Sequence, residues 1–159
     1  MFAAMLTGTT PWSVAATELT FRAGLEAYNA HDYGRARAIW TDLANRNDAK
    51  AQSGLGYMYY TGLGVAQDSP RAAEWFYRAA NQGESTAQFF LALMHRAADG
   101  VPASPELALM WCDLAVSGGQ PDAAEWLEKI MAELTDGQRR EAWRLEAEWN
   151  RIHDKAAAR

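Results

Sequence analysis

The amino-acid sequence predicts an all-α fold, an α-solenoid of stacked antiparallel helix pairs with a C-terminal capping helix. Two observations carry that expectation. A spacing of 36 residues recurs without insertion or deletion: Ala72, Trp75, Ala79, Gly83 and Ala87 step forward to Ala108, Trp111, Ala115, Gly119 and Ala123. Leu55, Met58, Gly64 and Val65 return as Leu91, Met94, Gly100 and Val101, and stepping back from Ala72, Phe76, Ala80 and Ala87 reaches Ala36, Trp40, Ala44 and Ala51. A period in this range marks two-helix units, none of which can bury its apolar face alone. The second observation is the pairing of seven Trp with many Ala. Small residues let helices approach closely, and large rings fill the wedges between successive pairs. Trp75 and Trp111 are expected to fill one such repeated site each.

Taken in order, residues 1–16 (MFAAMLTGTTPWSVAA) carry no charged side chain and end in Val14-Ala15-Ala16, which fits a small-residue cleavage site before Thr17. This reads as a signal or leader segment and predicts a mature domain at 17–159 that is periplasmic or secreted. The basic stretch that opens such a signal is missing, which leaves a start further upstream, or a retained leader and cytoplasmic work, as alternatives. Gly8 and Pro11 interrupt the segment, which is also too short for a transmembrane span. The first helix pair is expected at about 18–47, with Leu19, Ala23 and Ala27 at helical spacing and a break at His31-Asp32. The second, at about 49–83, is joined by Gly62-Leu63-Gly64-Val65, and the third, at about 85–119, by Asp99-Gly100-Val101-Pro102. Pro70 and Pro105 fall where a helix start tolerates a missing N–H. Gly83 and Gly118-Gly119 fall just past helix ends, where a left-handed residue is wanted. The cap is expected at 121–154: one helix to Leu134, a turn at Thr135-Asp136-Gly137, then a charged helix from Arg139 with Trp143, Leu145, Trp149 and Ile152 along one sparse apolar side.

A net charge of −5 and a pI of about 5.2 argue against an electrostatic grip on nucleic acid or an anionic membrane. The single cysteine, Cys112, excludes an intrachain disulfide and reads as a small buried hydrophobe beside Trp111. His31, His95 and His153 are scattered, so neither a metal site nor a cofactor is expected. Gly62-Leu63-Gly64 follows a helix and lacks the Lys-Ser or Lys-Thr of a phosphate loop. Glu125, Glu128 and Glu133 read as a solvated helix face. No nucleophile stands with a base, so the chain is expected not to be an enzyme.

The segment 51–83, AQSGLGYMYYTGLGVAQDSPRAAEWFYRAANQG, closely resembles a Sel1-like repeat. The pattern is carried by Ala51, Leu55, Gly56, Met58, Tyr59, Gly62, Gly64, Val65, Asp68, Ala72, Trp75, Ala79, Ala80 and Gly83. Residues 85–119 are a degraded copy in which His95 replaces the tyrosine and Ala98 the first loop glycine, so a looser loop is expected there. The first pair resembles the related tetratricopeptide repeat at Gly24, Asp32-Tyr33, Ala36 and Trp40. Together the resemblance covers about 21–134 and implies an α-solenoid used for protein binding, frequent among bacterial exported and envelope proteins. A cysteine-rich branch of the family staples each repeat with a disulfide and is linked with β-lactam binding. This chain lacks those cysteines, and that activity is not carried over; a cell-wall enzyme or small-ligand protein stays the alternative reading.

In such pairs the first helix lines the groove, and aligning Gly24, Gly56 and Ala92 reads its positions. They hold Phe21, Leu25 and Tyr28 in the first pair; Lys50, Ser53, Tyr57 and Tyr60 in the second; Phe89, Leu93 and Arg96 in the third; and Glu125 and Lys129 in the fourth. Five of these are aromatic where residues without a packing duty are normally polar. Rings with a few polar neighbours suit a protein or peptide partner, because they offer large contact area at modest entropic cost. Packing of the same rings between repeats is the competing expectation.

Overall fold

The computed structural model describes residues 20–157, and within them eight helices follow one another. They are α1 (Phe21–Asn29), α2 (Tyr33–Asn45), α3 (Ala49–Thr61), α4 (Ser69–Ala80), α5 (Ser85–Ala97), α6 (Pro105–Ser117), α7 (Ala123–Glu133) and α8 (Asp136–Ala157). No strand occurs among the described residues. The leader expected at 1–16 and the helix start expected near Glu18 lie outside them. Consecutive helices pack as pairs, α1 on α2, α3 on α4 and α5 on α6, and each pair stacks on the next.

The helix starts repeat as regularly as the apolar residues do. Asp32, Asp68 and Ser104 stand 36 residues apart and open α2, α4 and α6, each side chain accepting the backbone N–H three residues on. Thr20, Asp48 and Glu84 do the same for α1, α3 and α5. Each cap satisfies a donor that the helix leaves orphaned, worth about 1 kcal/mol. A second repeated bond joins neighbouring pairs. Buried Gln52 donates from Nε2 to the Ala44 carbonyl, and Gln88, 36 residues later, donates to the Ala80 carbonyl, both at 3.3 Å. These amides tie the start of each first helix to the end of the helix before it.

The loop glycines are contacts as well as turns. Gly64 has φ +77° and lies against Tyr33, the first residue of α2; Gly100 has φ +70° and lies against Ser69 and Pro70, which open α4. One pair's loop thus rests on the second helix of the pair before it. Ala98 does not loosen its loop as expected. It takes the left-handed conformation (φ 56°) that Gly62 takes (φ 76°), and its N–H bonds the Met94 carbonyl as that of Gly62 bonds Met58. The Cβ in that conformation costs about 1–2 kcal/mol, and the repeated geometry holds nonetheless.

Two apolar cores result. One gathers Ile39, Trp40, Leu43, Leu55 and Met58; the larger runs from Ala72 and Phe76 through Leu91, Met94, Leu109 and Trp111 to Ile130 and Ala142. Trp75 and Trp111 are not equivalent, contrary to their sequence positions. Trp75 is half-buried, with the Arg78 guanidinium 4.8 Å over its ring, whereas Trp111 is buried and meets Trp149 of α8 edge to face at 6.1 Å. The difference is α8, which packs along α6 and meets Trp111 through Trp149, whose Nε1–H also reaches Asn81 Oδ1 at the end of α4 (3.3 Å).

That helix begins at Asp136, three residues before the expected start. Thr135 Oγ1 accepts the Gln138 N–H while Gln138 Oε1 accepts the Thr135 N–H, a reciprocal capping box that turns the expected turn into a first helical turn. Its packed side holds Ala142, Leu145 and Trp149, while Trp143 (46% exposed) and Ile152 (53%) fall on opposite flanks. Glu146 shares the packed side and faces Asp113 of α6. Burial, and then the Asp113 charge, raise its carboxyl pKa to about 7. A raised pKa means that the folded chain favours the proton, so the stabilisation is complete below the unfolded value and is lost as pH rises through about 7. After discounting for partial solvation, about 1 kcal/mol should disappear between roughly pH 5 and pH 8. Urea denaturation of wild type and Glu146→Gln across that range checks this: the variant should lose that part of the slope, and identical slopes would refute it.

Candidate binding groove

The side formed by α1, α3 and α5 carries a cavity of about 400 Å³ bordered by Phe21, Leu25, Tyr28, Trp40, Lys50, Ser53, Gly54, Tyr57 and Phe90, with Asn29, Glu84 and Thr86 at its edges. A continuous run of rings borders it and leads into the larger core. Phe21 stacks on Trp40 (5.6 Å), Trp40 on Tyr28 (5.7 Å), Tyr28 meets Tyr57 edge on (6.1 Å), Tyr57 meets Phe90 (5.5 Å), and Phe90 stacks on Phe76 (5.0 Å). Helical spacing brings Phe21, Leu25 and Tyr28 onto one face of α1, and Lys50, Ser53 and Tyr57 onto one face of α3.

Two glycines let Trp40 reach the cavity. A Cβ on Gly24 would overlap its indole, and one on Gly54 would stand 2.9 Å from it, so the ring lies flat between α1 and α3. Its Nε1–H donates to the Phe21 carbonyl at 3.2 Å, which fixes the ring plane. The cavity itself comes from a local departure in the repeat. Where the third pair places Phe89-Phe90, the second has Ser53-Gly54, 36 residues earlier, and the missing rings leave the space open.

Of the positions expected in the groove, Phe21, Leu25, Tyr28, Lys50, Ser53 and Tyr57 border this cavity. Phe89 does not: it is 7% exposed and belongs to the larger core, and its neighbour Phe90 takes the groove position instead. Ser53, equally, is buried at the cavity wall rather than presented to solvent. Tyr60 and Leu93 are half-buried against that core, Tyr60 resting on Phe90 at 5.4 Å. Arg96, Glu125 and Lys129 gather elsewhere, around Trp126. Arg96 spans to Glu133 of α7 with two hydrogen bonds (3.0 and 2.5 Å), Lys129 pairs with Glu125 at 2.6 Å, and both cations stand over the Trp126 ring. The expected site therefore divides into a cavity on α1 and α3 and a closed charged cluster on α5 and α7. Trp40, Gly54 and Phe90 were missed, although the contrast of Ser53-Gly54 with Phe89-Phe90 was present in the sequence.

The reactive residue types are engaged elsewhere. His95 Nδ1 donates to the Pro102 carbonyl (3.1 Å), which leaves Nε2 to accept the Tyr77 hydroxyl (2.5 Å). The carbonyl cannot donate, so Nδ1 carries a proton, and burial, which holds the ring's pKa below the ordinary histidine value, favours the neutral form in which Nε2 accepts. Burial, with Asp113 adding, pushes the Cys112 thiol up to about 12, which keeps it from acting as a thiolate. Among the described residues no group of three His, Cys, Asp or Glu could hold a metal ion, and no helix is long and apolar enough to cross a membrane.

A run of helix pairs, each capped alike, with rings aligned across its first helices, is a repeat solenoid. Two Sel1 repeats lie within it, at residues 49–84 and 85–120. Solved structures agree. The chain resembles a protective antigen present in uropathogenic Escherichia coli strains displaying an SLR fold (TM-score 0.79, 25% identity, 86% of this chain and 30% of that one). It also resembles a Sel1 repeat protein from Oxalobacter formigenes (TM-score 0.67, 28% identity, 72% of this chain and 47% of that one). The chain thus spans less than half the length of either. No curated protein matches it. Sel1-repeat proteins generally mediate protein–protein interactions and are typically non-enzymatic scaffolds.

Proposed function

We propose that this chain is a non-enzymatic binding module that holds an extended segment of a protein partner in the α1–α3–α5 groove, serving as an exported adaptor, assembly factor or regulator. The supporting observation is the run of rings from Phe21 to Phe90 bordering a cavity of about 400 Å³. A cavity of that volume takes one or two bulky side chains, and the flat rings around it supply contact area without ordering long flexible groups. Apolar anchors buried in such pockets dominate interface energetics, on the order of 2 kcal/mol each. Export rests on the leader at 1–16, and a mature N-terminus at or near Thr17 is the expected result of sequencing the native protein.

Ser53→Phe tests the groove. It copies into the second pair the residue that the third pair carries at Phe89, filling the cavity with a ring the repeat already tolerates. The thermal midpoint should stay within a few degrees of wild type while affinity for peptides selected on wild type falls about 30-fold, the equivalent of one lost anchor. Leu25→Glu, at a position 39% exposed, carries little packing duty and should act the same way by placing a charge at the mouth. Undiminished binding by both folded variants would refute the groove.

A further inference from the structure

The cavity is bordered by a cation that has no ion-pair partner among the described residues. Lys50 forms no ion pair among the described residues, whose pairs are all between other side chains. Among the described residues Glu84 is the one carboxylate bordering the cavity, and it is turned into the first turn of α5, where Oε2 accepts the Ala87 N–H at 2.7 Å. Arg96 and Lys129, the other cations expected along the groove, are held by Glu133 and Glu125. The chain as a whole carries −5, so an uncompensated ammonium beside the cavity is a local exception to its charge.

The position of Lys50 distinguishes two sources of a complementary carboxylate. α3 is the middle one of the three helices that form the groove, and Lys50, its second residue, borders the cavity one turn before Ser53. A segment crossing from α1 to α5 passes Lys50 midway along its length. The group that reaches it is then a side chain of the segment, since a chain terminus would meet the groove at its end.

We propose that the groove selects an acidic apolar segment, in which a bulky apolar side chain enters the cavity and an Asp or Glu within about three residues pairs with Lys50; this rests on the groove reading above. An exposed pair of this kind adds little affinity, about two- to five-fold, but it rejects a basic residue at the same place and makes association salt-dependent.

The test is selection of a random nonapeptide phage library on the full 159-residue chain, followed by titration of the most enriched sequence as a synthetic peptide. Enriched sequences should pair Leu, Phe, Tyr or Trp with a nearby Asp or Glu, and Lys50→Glu should select Lys or Arg there instead. Changing the acid of the synthetic peptide to its amide should weaken binding about two- to five-fold at low salt, and the difference should close near 0.5 M salt, roughly, as the pair is screened. If wild type and Lys50→Glu select the same charge-neutral apolar peptides, and Ser53→Phe and Leu25→Glu abolish their binding, the acidic preference is wrong and the groove stands. A preference lost when the free C-terminus of the synthetic peptide is amidated also overturns the side-chain assignment. Peptides that bind those two groove variants as well as wild type, or a library that yields no enrichment, overturn both.

Discussion

Gly100→Ala should destabilise the chain by about 3–5 kcal/mol, far beyond what a left-handed glycine alone would explain. Its φ of +70° costs an alanine about 1–2 kcal/mol, and an added Cβ would also stand 2.5 Å from the Ser69 carbonyl oxygen and 2.7 Å from Pro70 N. Those atoms are backbone at the start of α4 and cannot rotate aside, so the pairs must separate to make room. Gly83 is the internal control. It has φ +83° but nothing within 4 Å of a Cβ, so Gly83→Ala should cost only the conformational part, about 1 kcal/mol. Guanidinium denaturation of the two variants decides the matter: equal midpoints would mean that the loop-to-helix contact contributes nothing.

Trp40→Ala should cost about 3–5 kcal/mol, the range for deleting a buried indole, and lower the melting midpoint by roughly 8–16 °C. The ring is 2% exposed, touches the faces of α1 and α3 that are bare at Gly24 and Gly54, and holds the Phe21 carbonyl. Glycines on both sides cannot fill the space it leaves, so little relaxation is available. Because the smaller core joins α2 to α3 apart from the larger one, the loss should concentrate there, with amide exchange accelerated in α1, α2 and α3 and little changed in α6 and α8. Uniform acceleration along the chain, or an unchanged midpoint, would contradict this placement.

The architecture was legible because a solenoid writes its contacts at a fixed period. Trp40 and Phe76, Gly64 and Gly100, and the caps Asp32, Asp68 and Ser104 each obey it, although only the structure shows that those three side chains cap helices. Site residues were harder to read because they lie where the period fails. Phe89 and Phe90 are adjacent on α5, and a helix turns about 100° between them, so an alignment good to one residue cannot say which ring faces the groove. The repeat predicted Trp75 and Trp111 alike, and the packing of α8 over one of them, a non-repeating contact, separated them. Thr135 and Gln138 show a third cause: a capping box competes with the turn signal of Asp136-Gly137, and local composition does not announce which prevails.

The shared use of Trp40 ties occupancy of the groove to the endurance of one end of the molecule. A segment resting on that ring binds only while α1 is seated, so the free energy of binding is added to the cost of opening the first pair, by about 2.7 kcal/mol at a ligand concentration a hundred times its dissociation constant. α6 and α8, which contribute nothing to the groove lining, gain nothing comparable. Saturation would therefore even out a gradient of local stability along the solenoid, and a protease that attacks through opening of α1 would report the partner's presence without touching the groove.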